Sequence, residues 1–205
     1  MIQSQGLRER KKQRTRQALV ATALRLFAEK GYEQTTVAEI AAAAEVSTKT
    51  FFNYFPSKED VVFADAGQRM DVALQVVADR APSDPLDEVL LRVVESVLEL
   101  VKSRDSDVAP DLLPVRASVL MTAPALQAKA LHLIFAMQRQ LAEALAAAYP
   151  TRLDEVTAAA IVGSVVGAGQ AAVLASIERG DSREESFAAV STAARIALRG
   201  IESFR

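Results

Sequence analysis

The stretch VSTKTFFNYFPSKED, residues 46–60, threads Thr48, Lys49, Thr50 and Asn53 through four closely spaced rings. The chemistry these side chains offer is recognition by hydrogen bonds. Threonine can touch a thymine methyl or a phosphate, asparagine can pair with adenine, and lysine can reach guanine or phosphate. Set at 100° per residue on a helix, Phe51 and Phe55 lie about 40° apart. With Val46 they predict an inward face toward Ile40. Lys49, Thr50, Asn53 and Tyr54 fall on the opposite arc, and Thr48 and Phe52 on its flank. For Phe52, core packing and contact with a partner both stand open. Lys58 lies at the start of the next segment, where an ammonium and unpaired helix N–H groups suit a phosphate. An amphipathic helix with a merely solvated polar face is the plainer alternative.

The neighbouring residues supply the elements that would hold such a surface. A first helix is expected from about residue 8 to 30, with Leu19, Ala23, Leu26 and Phe27 at helical spacing. Gly31 stands where a left-handed C-terminal residue belongs. Thr36-Val37-Ala38-Glu39 reads as a capping box opening a short helix over 37–44. Ser47 caps a second one over 48–54. Two short helices joined by Glu45-Val46-Ser47 predict a helix-turn-helix, whose second helix enters a DNA major groove. Ser57-Lys58-Glu59-Asp60 reads as a third capping box, opening a helix that continues to about 79.

Net charge supports the same direction. Residues 1–16 hold six cations (Arg8, Arg10, Lys11, Lys12, Arg14, Arg16) against Glu9, a net +5. The other 189 residues therefore sum to −7, for a chain total of −2. A basic arm on an acidic body fits an anionic partner, and equally a solvated terminus.

Residues 11–60 resemble the DNA-binding domain of the TetR (tetracycline-repressor-type) family of bacterial transcriptional regulators. The resemblance is carried by F-x-x-x-G-Y at Phe27–Tyr32, T-T-V-x-x-I-A at Thr35–Ala41 and V-S-x-x-T-x-F-x-Y-F-x-S-K-E at Val46–Glu59. It implies an all-α protein of about nine helices: a three-helix DNA-binding domain over 8–57, then an effector-binding and dimerisation domain over 58–205. It further implies a homodimer on a pseudo-palindromic operator, and DNA contacts at Thr36, Thr48, Lys49, Thr50, Phe52, Asn53, Tyr54 and Lys58. Two residues depart from the pattern. Glu45 stands where glycine is frequent, at a cost on the order of 1 kcal/mol if that position is left-handed. Phe52 replaces a frequent tyrosine and has no hydroxyl for a phosphate.

Beyond a break at Pro82-Ser83-Asp84-Pro85, long helices are expected at 86–103, 111–121, 124–148, 154–178 and 183–203, with 104–110 a polar loop. Pro114 is expected to kink or shorten its helix. The Ala/Val-rich run 158–175, which holds Gly163, Gly167, Gly169 and Gln170, reads as a buried helix; a membrane span is possible on length alone but poor on hydropathy. Gly163, Gly167 and Ala171 recur every four residues, a stripe that admits a second helix closely. With the last helix it is the expected dimer interface.

Candidates for an effector site are Arg116, Leu120, His132, Phe135, Gln138 and Gln170, with apolar walls that suit a small apolar or amphipathic molecule. Ordinary core and surface roles are the alternative for each. With one His and no Cys, no nucleophile-base set or metal cluster is legible. No catalytic residue, metal or cofactor is expected. The sequence points to a cytoplasmic transcriptional repressor released from DNA by a small effector. An architectural DNA-binding protein without effector is the alternative.

Overall fold

A computed structural model describes residues 2–103 and 106–200. Among the described residues it is all-helical, with nine α-helices and two single 3-10 turns. The helices are α1 (Ile2–Lys30), α2 (Val37–Ala43), α3 (Thr48–Tyr54), α4 (Ala66–Ala78), α5 (Leu86–Lys102), α6 (Leu113–Thr122), α7 (Pro124–Ala148), α8 (Glu155–Arg179) and α9 (Arg183–Arg199). They divide into two compact units. The first holds the described residues up to Gly67 together with Val101–His132; the second holds Gln68–Leu100 and everything described from Leu133 on.

The first unit is built on α1. Its inward stripe of Leu19, Val20, Ala23, Leu24 and Phe27 is buried and meets Ile40 and Ala41 of α2 and Phe51 of α3. Helix α1 begins at Ile2 rather than near residue 8. Its Arg, Lys and Gln residues are good helix formers, and no proline interrupts them. At its end Gly31 takes φ 90° and donates to the Phe27 carbonyl at 3.0 Å.

Both expected caps of the helix-turn-helix form. The Thr36 hydroxyl accepts from the Glu39 amide at 3.2 Å, and the Glu39 carboxylate returns to the Thr36 amide at 2.8 Å. The Ser47 hydroxyl accepts from the Thr50 amide at 3.1 Å. Between the helices, the Val46 amide donates to the Ala41 carbonyl at 2.9 Å and the Glu45 amide to the Ala42 carbonyl at 3.1 Å. That pair of bonds is a Schellman motif, and it forces Glu45 to φ 56°. Glu45→Gly relieves the left-handed strain but frees the unfolded chain, so unfolding free energy should rise by at most about 1 kcal/mol. Urea denaturation measures this, and the turn should be unchanged.

Two expectations are corrected here. Residues 58–79 do not form one helix: Glu59–Val61 make a single 3-10 turn and α4 starts at Ala66. The Ser57 hydroxyl does bond Asp60, at 2.7 Å. Between the turn and α4 the chain meets α1, where Arg16 donates to the Ala64 carbonyl at 2.8 Å. The second concerns the helix expected over 111–121: it is shortened at Pro114, as allowed for, and its α-helical part starts only at Leu113. Pro114 occupies the first turn, where a missing N–H costs nothing, after a 3-10 turn at Pro110–Leu112.

Among the described residues of the polar loop before α6, Ser106, Asp107 and Val108 are 1%, 3% and 0% exposed.

The second unit buries Val89, Leu90, Leu145, Ala158 and Val162 in its own core. Helices α8 and α9 pack together, and a Cβ at Gly169 would stand 3.8 Å from Val190. The reading of 158–175 as a buried helix is corrected. Only 22% of the most apolar window of α8 is buried, its mean hydropathy is 1.8, and by length and composition the helix could cross a membrane. A Cβ at Gly163 or Gly167 would meet nothing within 4 Å. Among the described residues, nothing packs closely on α8 at these two positions.

Candidate nucleic-acid interface

Helix α3 owes its orientation to two rings. Phe51 and Phe55 are 0% and 1% exposed and lie 5.7 Å apart between centroids. Their burial turns Lys49 and Asn53 outward, as the helical angles predict, and the flank positions Thr48 and Phe52 with them. Thr48, Lys49, Phe52 and Asn53 are exposed. They form one contiguous arc on the first two turns, with Thr36 exposed at the start of α2. Phe52 is half exposed, yet its ring stands edge-on to Phe51 at 5.5 Å and 86°. It is an apolar group in solvent, held in a fixed pose.

Other expected contact residues are placed differently. Thr50 is half-buried and its hydroxyl shares a hydrogen bond with Ser47 at 2.9 Å. Tyr54 lies partly buried against the core rather than fully outward. Lys58 turns back on the domain. Its Nζ donates to the Tyr32 carbonyl at 2.8 Å and the Thr35 carbonyl at 3.0 Å, and sits 3.9 Å from the centre of the Tyr32 ring. Two of its three N–H groups hold the 32–35 loop, which leaves one. Lys58→Met should therefore cost about 2 kcal/mol of stability besides any loss of affinity, because two carbonyls lose a charged donor. A urea midpoint unchanged in this variant, with binding alone reduced, would contradict the clamp.

The electrostatics around this loop are those of a fixed scaffold. Hydrogen bonds from Lys30 first, then from the Thr36 amide and hydroxyl, pull the Glu39 carboxyl down to about 2. Burial, followed by the hydrogen bond to Glu59 and the nearby acids Glu59 and Glu33, pushes the Tyr32 phenol up.

The residue that sequence reasoning missed is Arg16, read only as one more cation of the basic arm. Its guanidinium reaches the Tyr54 carbonyl at 3.1 Å and lies 4.5 Å over the Phe55 ring. It thus anchors the end of α3. Nothing in composition separates it from Arg14, which is exposed.

The expected effector residues fall in both units. In the first, Arg116 is ion-paired to the fully buried Asp65 at 2.9 Å, Leu120 packs on the core, and His132 is exposed. In the second, Phe135 is exposed, and Gln138 and Gln170 are partly buried. A cleft of about 420 Å³ opens in the second unit, lined by Val76, Asp79, Asp84, Arg92, Glu95 and Ser96 among others. It contains none of the expected six. No group of His, Asp and Glu among the described residues could hold a metal ion.

Comparison with known proteins bears on the whole arrangement. The profile of the bacterial regulatory proteins of the tetR family matches residues 19–64, from the core of α1 through α3 to the turn before α4. The HTH-type transcriptional regulator TcmR of Streptomyces glaucescens is 33% identical over 151 residues, which is 73% of this chain and 67% of that protein. The HTH-type transcriptional repressor LfrR of Mycolicibacterium smegmatis is 34% identical over 90 residues, 43% of this chain and 47% of that protein. Among solved structures, the fatty acid degradation regulator FadR from Bacillus halodurans superposes with TM-score 0.61 at 20% identity, covering 89% of this chain and 97% of its own. FadR from Bacillus subtilis, solved in complex with stearoyl-CoA, gives 0.60 at 18% identity over the same shares. Those two show the fold, and TcmR shows the lineage. The chain belongs to the TetR family of bacterial, DNA-binding transcriptional regulators.

Proposed function

We propose that this regulator is a repressor that binds a pseudo-palindromic operator as a homodimer and is released by a small molecule. The observation that carries the reading is the split of α3, with Phe51 and Phe55 buried and Thr48, Lys49, Phe52 and Asn53 exposed on one arc. In this reading residues 8–57 read DNA, and 58–205 bind effector and partner. Thr36, Thr48, Lys49, Thr50 and Asn53 supply polar contacts, Tyr54 lies at the edge of the surface, and Lys58 gives its remaining N–H to a phosphate. One helix-turn-helix reads too few base pairs for selectivity, and two-fold symmetry doubles the reading.

For the dimer, the support is the uncovered side of α8 and α9. Val173, Leu174 and Ile177 are 42%, 45% and 39% exposed, and Ile196 is 65% exposed. Apolar residues so placed beside the open Gly163 and Gly167 fit burial by a second copy. The same burial accounts for the hydropathy of α8 without a membrane, in a cytoplasmic protein. For the effector, the support is analogy: LfrR is named a repressor and the Bacillus subtilis FadR is bound to stearoyl-CoA. An apolar or amphipathic molecule touching Leu120, His132, Phe135, Gln138 and Gln170 is the corresponding expectation. Arg116 stays with Asp65.

Selection of bound fragments from random duplex DNA tests the reading. Enrichment of one motif with two-fold symmetry is the expected result. A ratio of specific to non-specific affinity near one, at fixed salt, would replace it with an architectural DNA-binding role.

Phe52 allows a finer test. A ring without hydroxyl, fixed edge-on to Phe51, is suited to the 5-methyl group of thymine. Replacing each operator thymine in turn by deoxyuridine should weaken wild-type binding at one position per half-site by about 1 kcal/mol. The Phe52→Ala protein should be indifferent to that same replacement. Equal sensitivity in both proteins would assign Phe52 to packing alone.

A further inference from the structure

The guanidinium of Arg16 is used in four directions at the end of α3. Nε donates to Asp107 Oδ2 at 2.5 Å, Nη1 to the Tyr54 carbonyl at 3.1 Å and Nη2 to the Ala64 carbonyl at 2.8 Å, while Phe55 lies against its face. The last carbonyls of a helix have no amide partners and favour a cation, so Tyr54 is a natural acceptor. A planar fork with fixed donor directions cannot satisfy one partner independently of the others. Where Asp107 stands therefore determines where the fork can meet Tyr54.

Asp107 is the one of these partners that lies outside residues 1–67, at a separation of 91 positions from Arg16. It is itself held. Gln13 Nε2 donates to its Oδ1 at 2.9 Å, and Gln17 Nε2 donates to the Ser106 carbonyl at 3.1 Å. With Asp107 3% exposed and Val108 fully buried, these bonds fasten the 106–108 segment to α1. Removing the carboxylate leaves a partly buried guanidinium without its charged partner, and the fork is then free to turn away.

We propose that Asp107, acting through Arg16, is a positioning residue that sets the C-terminal end of α3 for sequence-selective DNA binding. The segment between α5 and α6 is on this account part of the reading apparatus. The proposal rests on α3 being the DNA-reading helix, and its test separates the two. The chain has 3 Tyr, so full-length protein labelled with 3-fluorotyrosine gives three assignable fluorine resonances.

In Asp107→Asn the Tyr54 resonance should move and that of Tyr149, in the other unit, should stay. Operator affinity should fall about 10-fold, with affinity for unrelated duplex and its salt slope unchanged. Arg16→Lys keeps the charge toward Asp107 but lacks the fork. The same Tyr54 shift and the same selective loss are expected there, in a protein that stays folded. An unmoved Tyr54 resonance in both variants, or equal losses on operator and unrelated DNA, would overturn the proposal. If no operator can be selected at all, the DNA-reading role of α3 fails, while the Tyr54 resonance still decides whether Asp107 positions it.

Discussion

Phe51→Ala should destabilise the first unit by about 3–5 kcal/mol and abolish operator binding with it. Phe51 is fully buried and touches both neighbouring rings of α3, at 5.5 Å to Phe52 and 5.7 Å to Phe55. Truncation removes the transfer free energy of a benzyl group and leaves a cavity between α1, α2 and α3 that seven-residue helices cannot close. A domain of typical stability, about 5–15 kcal/mol, loses a large fraction of its margin. Phe52→Ala on the next residue is the control. Its ring is 53% exposed, and the change should cost no more than about 0.5 kcal/mol. Urea unfolding of the two variants checks this directly. Equal midpoints would mean that α3 is not held by its inward rings, and the assignment of its outward face would fall with it.

Leu174→Glu should convert a particle of twice 22.0 kDa into one of 22.0 kDa and weaken operator binding at least about 100-fold. Leu174 is 45% exposed within one chain, so the substitution should leave helix content and the protomer's own core intact. In a two-fold interface along α8 the same change brings two carboxylates into an apolar contact. Each would be desolvated without a partner, at a cost of several kcal/mol. Sedimentation equilibrium reads the mass and fluorescence anisotropy the affinity. A variant that still sediments at twice the chain mass would place the dimer contact elsewhere. A monomer that kept full affinity would remove the reason for a palindromic site.

The recognition module was legible because its signals are local. Thr36 and Glu39, or Ser47 and the Thr50 amide, lie within one turn of each other, so spacing alone brings them into contact. The inward pair Phe51 and Phe55 follows from 3.6-residue periodicity in the same way. The strained turn at Glu45 could be expected because a helix end of this form needs a left-handed residue, whatever its type.

Long-range partners were not legible. Lys58 has the type and the place of a phosphate contact, and only the returning 32–35 loop, more than 20 residues away, shows that its ammonium is already engaged. Asp107 belongs to a run of polar residues that any reading would leave in solvent, yet it is buried on Arg16. Capping, periodicity and charge distribution thus determined most of the helices, the helix-turn-helix and, of its outward arc, Lys49 and Asn53. The tertiary structure decided which cations face solvent and which are spent on carbonyls and buried acids. That choice depends on chain segments brought together from tens of residues apart, and no local pattern encodes it.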